Sequence, residues 1–207
     1  MARKKLVEFN MNNILEAAEE LFEQKGFDRT SMDEISEKAE YSKSTVYVYF
    51  KSKEDLRNHL ICKYMEILRD EARRAAESKG DFPKRFFDFC NRIKVQYDAH
   101  PLFFTETQQK ISVKALNDPK NATLKKIYEL GEETNEAVAD FIRSGIDEGY
   151  IRKDIDVYTA VFSMWSSIAA AIEFSRAKAD YLKMRFGISS ENYRKRALSL
   201  LLEGVKA

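Results

Sequence analysis

The chain has 207 residues, of which 44% are hydrophobic and 33% are charged, and its formal net charge is +1. This balance is typical of a globular protein with a charge-rich surface, and the length allows one large domain or two modest ones. A net charge near zero excludes a generally polybasic protein, so nucleic-acid binding would have to come from a local patch. The low content of three prolines and seven glycines favours long helices with few loops.

The sequence lacks the patterns of a metal site, a redox site or a secretion signal. Cys62 and Cys90 stand far apart and form no CxxC or CxxH pair, which favours a reduced, cytoplasmic setting. His59 and Cys62 share a helix face, but without a third ligand a structural pair is favoured over a metal site. The basic N-terminus MARKKLVEF is not followed by the long apolar run of a signal peptide. We expect no metal and no cofactor.

The first two predicted elements are helices separated by a glycine. Apolar residues recur at helical spacing from about Phe9 to Lys25, and Gly26 is placed to end that helix. Ser31 with Glu34 three residues later has the pattern of a capping box, which predicts the start of a short second helix.

The next segment, Tyr41 to Lys53, reads YSKSTVYVYFKSK. Its VYVYF run favours a strand by propensity alone. A helix from Lys43 to Phe50, however, places Val46 and Phe50 on one face and leaves Ser44, Tyr47 and Val48 roughly opposite. Ser42 is a good N-cap for this helix, and Ser52 begins another. We therefore predict a third short helix rather than a strand.

Two short helices joined by the tight segment 38–42 form a helix-turn-helix, whose second helix lies in the major groove of DNA. Residues 41–53 contain three lysines and no acidic residue, as a surface facing phosphates requires. Lys43, Ser44 and Thr45 stand at the helix N-terminus, where they can reach base edges. The Val48 methyl groups can meet a thymine methyl. Tyr47, Tyr49 and Lys53 are predicted to bind phosphates, which position the protein on the duplex.

The sequence ILEAA (14–18), the pairs Leu21-Phe22 and Gly26-Phe27, and the run from Thr30 to Leu56 resemble the DNA-binding region of the TetR family of transcriptional regulators. The resemblance implies an all-α fold with two domains: an N-terminal three-helix helix-turn-helix DNA-binding domain (1–53) and a C-terminal helical ligand-binding and dimerisation domain (54–207). It also implies a homodimer whose last two helices pair with those of the partner. In that family, the positions occupied here by Ser31 and Met32 commonly touch DNA as well.

Two features depart from the family pattern. The usual Gly-Val of the turn is replaced by Glu40-Tyr41, and a non-glycine residue with positive φ costs about 1 kcal/mol. Residues 1–53 contain nine Lys and Arg against ten Asp and Glu, so the usual basic footprint is absent. Basic residues Arg3, Lys4 and Lys5 form either a disordered tail or an arm that contacts DNA.

The rest of the chain predicts further helices. Asp81 with Pro83 begins an aromatic helix, another follows Pro101, and a long helix ends near Glu148. The 16 uncharged residues from Val157 to Ile172 are too few for the ~20 of a membrane span, so this helix, which we extend to about Arg185, is expected to be buried on several sides and no membrane is expected as a partner. Its cap is Asp154 or Asp156, and its side bearing Ser167, Ala170 and Ala171 is expected to face a partner helix.

An apolar effector pocket is expected among the aromatic helices, because ligand sites are mostly apolar with a few polar groups. The candidates are Phe86, Phe89, Cys90, Tyr97, Phe104, Gln108, Tyr128, Phe141, Phe162 and Trp165.

The favoured function is a sequence-specific, dimeric transcriptional regulator, most simply a repressor, that a small-molecule effector releases from its double-stranded operator. An architectural DNA-binding protein without an effector is the alternative. A helical enzyme or carrier is a third reading, which the lack of a catalytic triad, a phosphate loop or paired catalytic carboxylates disfavours.

Overall fold

The computed structural model describes residues 2–100, 102 and 122–207. Within these residues the chain forms nine α-helices and no strand, so the predicted all-α class is confirmed. The helices are α1 (Ala2–Lys25), α2 (Met32–Lys38), α3 (Lys43–Tyr49), α4 (Lys53–Glu77), α5 (Phe82–Ala99), α6 (Ala122–Asp147), α7 (Val157–Ala177), α8 (Ala179–Phe186) and α9 (Ser190–Gly204).

The described residues fall into two compact units, one of 2–66 with 102 and 122–130, the other of 67–100 with 131–207. The division runs through α4 and α6, so these two long helices contribute to both units. The predicted domain boundary at residue 53 stays a prediction.

Two N-terminal predictions differ from the structure in their bounds. Helix α1 begins at Ala2 instead of about Phe9, so Arg3, Lys4 and Lys5 lie in its exposed first turns and not in a disordered tail. Helix α3 ends at Tyr49, one residue earlier than expected, because Phe50 has an extended backbone with φ −133°. The VYVYF run is helical, since burial of one helical face outweighs local strand propensity.

The core of the first unit is formed by one apolar stripe from each of four helices. As predicted, Val46 and Phe50 are fully buried at the end of α3. They share the core with side chains that are 0–1% exposed: Ile14, Ala18, Phe22, Ile35, Leu56 and Leu60. Burial of each such side chain contributes about 1.5–3 kcal/mol, which explains how helices of only seven residues are held in place.

The core of the second unit is built on aromatic stacking. Phe82 and Phe141 stack with their ring centroids 4.7 Å apart, and Phe89 lies 5.9 Å from Phe141. A Cβ added to Gly145 would come within 2.7 Å of the Phe82 ring and 2.8 Å of Ile151. Glycine at this position therefore allows α6 to approach the aromatic cluster closely.

Helix α7 is the uncharged helix of the sequence. Of its two predicted caps, Asp156 is the one used, since its carboxylate accepts a hydrogen bond from the Thr159 N–H at 2.7 Å. The helix ends at Ala177 instead of continuing to Arg185, because the backbone at Lys178 is not helical and a separate helix, α8, follows it. By length and composition, α7 is the one helix among the described residues that could cross a membrane; core helices of globular proteins meet the same criteria, and 39% of its apolar window is buried inside the protein.

Candidate nucleic-acid interface

The predicted capping box sets the start of α2. Ser31 Oγ accepts from the Glu34 N–H at 3.3 Å, and a Glu34 oxygen accepts from the Ser31 N–H at 2.9 Å. Lys25 also binds the Glu34 carboxylate. The hydrogen bond from Lys25 and those from Ser31 lower the pKa of Glu34 to about 2. Ser31 is exposed and Met32 half-buried at this end of the helix.

The turn between α2 and α3 takes the backbone conformation that usually belongs to glycine. Glu40 has φ +60° and is the one non-glycine residue with positive φ in the described chain. The Tyr41 N–H donates to Ser36 O at 3.0 Å and the Glu40 N–H to Glu37 O at 3.1 Å, which together form a Schellman motif. The turn therefore keeps the helix-turn-helix geometry, although Glu40 bears the steric cost of its left-handed conformation.

Helix α3 exposes the side that the sequence predicted. Lys43 and Ser44 are exposed, Tyr47 is 44% exposed and Val48 is 79% exposed. Thr45 is half-buried at the helix start, where its N–H donates to Ser42 Oγ at 3.1 Å. The exposed side carries one cation and hydroxyl groups and no acid.

Lys43 is paired within the protein. Its ammonium lies 2.5 Å from the carboxylate of Asp33 on α2. The hydrogen bond that Lys43 donates to Asp33 raises the pKa of Lys43. Both side chains are more than half exposed, so water screens this pair and it contributes little to stability. A phosphate or a base can thus replace Asp33 at little cost.

Tyr49 points its hydroxyl toward α1. The amide of Asn10 donates to this hydroxyl at 2.9 Å, and the Asn10 oxygen accepts from the Tyr41 hydroxyl at 2.9 Å. Tyr49 is half-buried, so its contact area for DNA is smaller than that of Tyr47.

Lys53 differs from the simple phosphate clamp that the sequence predicted. Its ammonium donates to Phe27 O at 2.7 Å and Thr30 O at 2.8 Å, and it lies 4.4 Å from the centre of the Phe27 ring. The Arg57 guanidinium lies over the same ring at 4.7 Å. Lys53 therefore fixes the loop before α2, on which Ser31 stands.

Sequence reasoning missed three contributors to this surface: Asn10, Asp33 and Phe27. Each acts through a partner between 10 and 39 residues away, and helical periodicity carries no information on such pairs. Of the three, only Asn10 could have been noticed in the sequence, because it is a polar residue one turn before the buried Ile14 of α1.

The predicted effector residues divide into three groups. Five are buried core residues: Phe86, Phe89, Cys90, Tyr97 and Phe141. Trp165 is half-buried, whereas Tyr128 and Phe162 are 39% and 59% exposed and do not point into the interior of their units. Helical spacing identified apolar positions there but not which face a neighbour covers. Phe104, Gln108 and the helix predicted after Pro101 lie outside the described residues.

The second unit contains a cavity of about 280 Å³ that shares only Phe86 with the predicted set. It opens between the start of α7 and the end of α9, and its wall is mostly apolar with polar groups from the segment before α7. The lining residues are Phe86, Ile142, Ile151, Arg152, Asp154, Ile155, Asp156, Thr159, Ala160, Ser163, Met164, Leu201, Leu202 and Val205.

His59 and Cys62 have separate partners. The His59 ring packs edge-on against Phe50 at 5.2 Å, and its Nδ1 lies 2.8 Å from Asp55 O. The Cys62 thiol donates to Thr123 O at 3.7 Å, and burial raises its pKa to about 11. These contacts support the structural reading of both residues.

The N-terminal region matches a known family. The family described as bacterial regulatory proteins, tetR family, matches residues 14–60, which contain α2, α3 and parts of α1 and α4. The helix-turn-helix region of the protein is thus similar to that of the TetR family. The chain is similar to YhgD of Bacillus subtilis (strain 168), an uncharacterized HTH-type transcriptional regulator, with 26% identity over 136 residues that span 66% of each chain. The family and the relative that the chain matches are transcriptional regulators, not enzymes.

Solved structures of other regulators share the fold over nearly the whole chain. The fatty acid degradation regulator FadR from Bacillus halodurans has a TM-score of 0.70 at 19% identity, covering 94% of this chain and 95% of that one. FadR from Bacillus subtilis in complex with stearoyl-CoA has a TM-score of 0.69 at 18% identity, covering 93% and 98%. The ketosteroid regulator KstR2 of Mycobacterium tuberculosis has 0.68 at 18%, covering 95% of both chains.

Proposed function

We propose that the protein is a dimeric cytoplasmic repressor that binds a near-palindromic operator and leaves it when a small molecule binds the second unit. The exposed side of α3 carries this proposal. It presents Lys43, Ser44, Tyr47 and Val48 without an acidic side chain, in a region with otherwise balanced charge. Each subunit would read one half-site in the major groove, with half-sites about one helical turn apart.

The residues of this surface have different proposed roles. Lys43, Ser44 and Thr45 read bases, with Val48 against a thymine methyl, and Tyr47 and Tyr49 bind phosphates. Ser31 and Met32, at the start of α2, approach the DNA backbone. Lys53 is still expected to support binding to all duplexes about equally. It does so by holding the loop whose carbonyls it binds, as well as by contacting phosphate.

Selection of bound duplexes from a random pool tests DNA reading. We expect a motif with two inverted half-sites, and a steep loss of affinity with salt because phosphate neutralisation releases counterions. Lys43→Ala should change the preferred bases, whereas Lys53→Ala should weaken all duplexes about equally. Lys79→Ala, an exposed lysine of the second unit, is the control. An architectural protein would instead bind many unrelated duplexes, and a pool without enrichment would overturn DNA reading.

The exposed side of α7 supports self-association. Aromatic side chains that are 45–59% exposed stand at both ends of a stripe whose middle residues are small: Tyr158, Phe162, Ser166, Ala170 and Phe174. A stripe of this kind is unfavourable in water and fits a second copy of the same helix, because small central residues allow close approach. The predicted Ala171 is buried within the subunit itself, so Ala170 is the better marker of the interface.

Sedimentation of the purified protein tests the dimer. We expect a dimer at micromolar concentration and a monomer for Ala170→Arg, because a guanidinium in the middle of the stripe would be buried without a partner. Ala99→Arg, at the exposed end of α5, should remain dimeric. A wild-type monomer at this concentration would rule the proposal out.

The apolar cavity between α7 and α9 supports an effector with a mainly hydrophobic body. Because FadR from Bacillus subtilis is solved with stearoyl-CoA, fatty acyl-CoA thioesters and free fatty acids are the first ligands to test. An effector releases DNA only if it binds the DNA-free conformation more tightly. We expect one of these ligands to lower operator affinity, and Ser163→Trp at the cavity wall to remove the response. Ala177→Trp, outside the cavity, should keep it.

A further inference from the structure

The side-chain amide of Asn10 on α1 is hydrogen-bonded to tyrosines at both ends of the segment 41–49, which contains α3. Asn10 accepts from the Tyr41 hydroxyl and donates to the Tyr49 hydroxyl, each at 2.9 Å. Tyr41 follows the left-handed Glu40 directly, and Tyr49 is the last residue of α3. The three polar groups form a hydrogen-bonded chain from Tyr41 through Asn10 to Tyr49. The two tyrosines are 31 and 39 residues away from Asn10 in the sequence.

The direction of this chain determines what each tyrosine can still bind. An amide oxygen only accepts and an amide NH₂ only donates, whereas a hydroxyl has one hydrogen to donate. Tyr41 gives its hydrogen to Asn10. Tyr49 receives a hydrogen from Asn10, so its own remains available, and among the described residues none accepts it. Since phosphate oxygens only accept, a phosphate is the matching partner on the DNA side.

We propose that Asn10 is a positioning residue that fixes the orientation of α3 and turns the Tyr49 hydroxyl hydrogen toward a DNA phosphate. The inference rests on the DNA-binding function proposed above. It also gives a reason for the unusual turn, because Tyr41 holds the chain immediately after Glu40 to α1. Where a glycine would relax the backbone, this protein uses a side-chain anchor.

The variant Asn10→Asp tests the direction of the chain without removing it. A carboxylate only accepts, so both tyrosines must donate to it, and Tyr49 loses the hydrogen that the phosphate needs. We expect a folded protein with operator affinity lowered about tenfold for each half-site, because each subunit loses one hydrogen bond to a charged group. The slope of log affinity against log salt should stay unchanged, because a neutral hydroxyl releases no counterion. In Lys53→Ala, which removes a phosphate-binding cation, the magnitude of that slope should fall by about 0.9 for each half-site.

Two controls separate this effect from added negative charge and from general damage. Asn12→Asp places the same charge two residues away on an exposed position of α1, and we expect less than a twofold change. In a Tyr49→Phe background, Asn10→Asp should cause no more loss than Asn12→Asp. Asn10→Leu, which removes both bonds, should lower affinity and also relax half-site preference, because α3 is then no longer anchored.

Three results would overturn the inference. These are equal effects of Asn10→Asp and Asn12→Asp, an undiminished tenfold loss in the Tyr49→Phe background, or an unchanged half-site preference in Asn10→Leu. If the wild-type protein binds no duplex at all, the proposed function fails instead, so the two failures are distinguishable.

Discussion

The helix-turn-helix and the second unit reach stability by different means. Helices α2 and α3 have seven residues each, too few to be stable alone. They depend on caps, on the Schellman turn, on side-chain bonds to α1 and on the buried apolar stripes that they share with α1 and α4. In the second unit, α5 and α7 have 18 and 21 residues, and buried apolar side chains, among them the stacked rings of Phe82 and Phe141, form the core. Polar bonds thus specify orientation in the first region, while apolar burial provides bulk stability in the second.

The exposed surfaces of the two regions differ in the same sense. Helix α3 presents cationic and hydroxyl groups, whereas α7 presents aromatic and small apolar residues. A surface that binds a charged polymer of fixed geometry needs hydrogen-bond donors and cations that point in defined directions. A partner helix or a hydrophobic ligand requires mainly matching shape. The match to the TetR family is confined to residues 14–60, the region where direction matters.

The largest effect is expected from the aromatic core of the second unit. Phe141→Ala should lower the free energy of unfolding by about 3–5 kcal/mol, because it removes a buried ring that contacts Phe82 and Phe89 and leaves a cavity. Phe141→Leu, which retains most of the volume, should cost less than half as much. Denaturant unfolding measures both. A loss below about 1 kcal/mol for the alanine variant would contradict the central role of this cluster.

A smaller loss is expected when the same cluster is overpacked. The new methyl group in Gly145→Ala would meet the Phe82 ring, so we expect destabilisation of about 1–3 kcal/mol despite the better helix propensity of alanine. A methyl group at Gly204 of α9 would meet no atom within 4 Å. Gly204→Ala should therefore be neutral or stabilising in the same unfolding experiment. Equal behaviour of the two variants would show that close packing at Gly145 is unimportant.

In the first region, relief of backbone strain should increase stability. Glu40→Gly should raise the free energy of unfolding by up to about 1 kcal/mol, since glycine adopts positive φ without a steric cost. Ala39→Gly, at the neighbouring position with φ −78°, should instead destabilise by about 0.5–1 kcal/mol. Thermal unfolding of the two variants tests the assignment. A destabilised Glu40→Gly would mean that the carboxylate contributes more than the turn costs.

The smallest expected effect concerns the capping box of α2 and depends on pH. Because the folded-state pKa of Glu34 is lowered to about 2, its contribution is present above the ordinary pKa near 4.5 and is lost as the pH falls toward 2. Glu34→Gln keeps the cap but not the charge. The difference in melting temperature between wild type and variant should therefore be greatest above pH 5 and disappear near pH 2. A difference independent of pH would exclude the ionic contribution.

Much of the fold and of the exposed side of α3 could be predicted from local patterns. Buried Val46 and Phe50, exposed Val48, the caps Ser31, Ser42 and Asp156, and the all-α class all follow from spacing and short-range hydrogen bonding. Errors arose where packing decides. Examples are Phe162 and Tyr128, which were expected to line a pocket but are exposed, and the interruption at Lys178 of a segment that was predicted as one helix.

The sequence by itself determined where the short helices lie, which face of α3 is free of acid, and that a non-glycine residue occupies the turn. Only the tertiary structure decided how that turn is held, because Tyr41 and Tyr49 meet Asn10 from far along the chain. It also decided that Lys53 binds the carbonyls of the loop before α2 and that Asp33 pairs with Lys43. Periodicity records which side of a helix is apolar, whereas the direction of a hydrogen bond depends on atoms that meet only after folding.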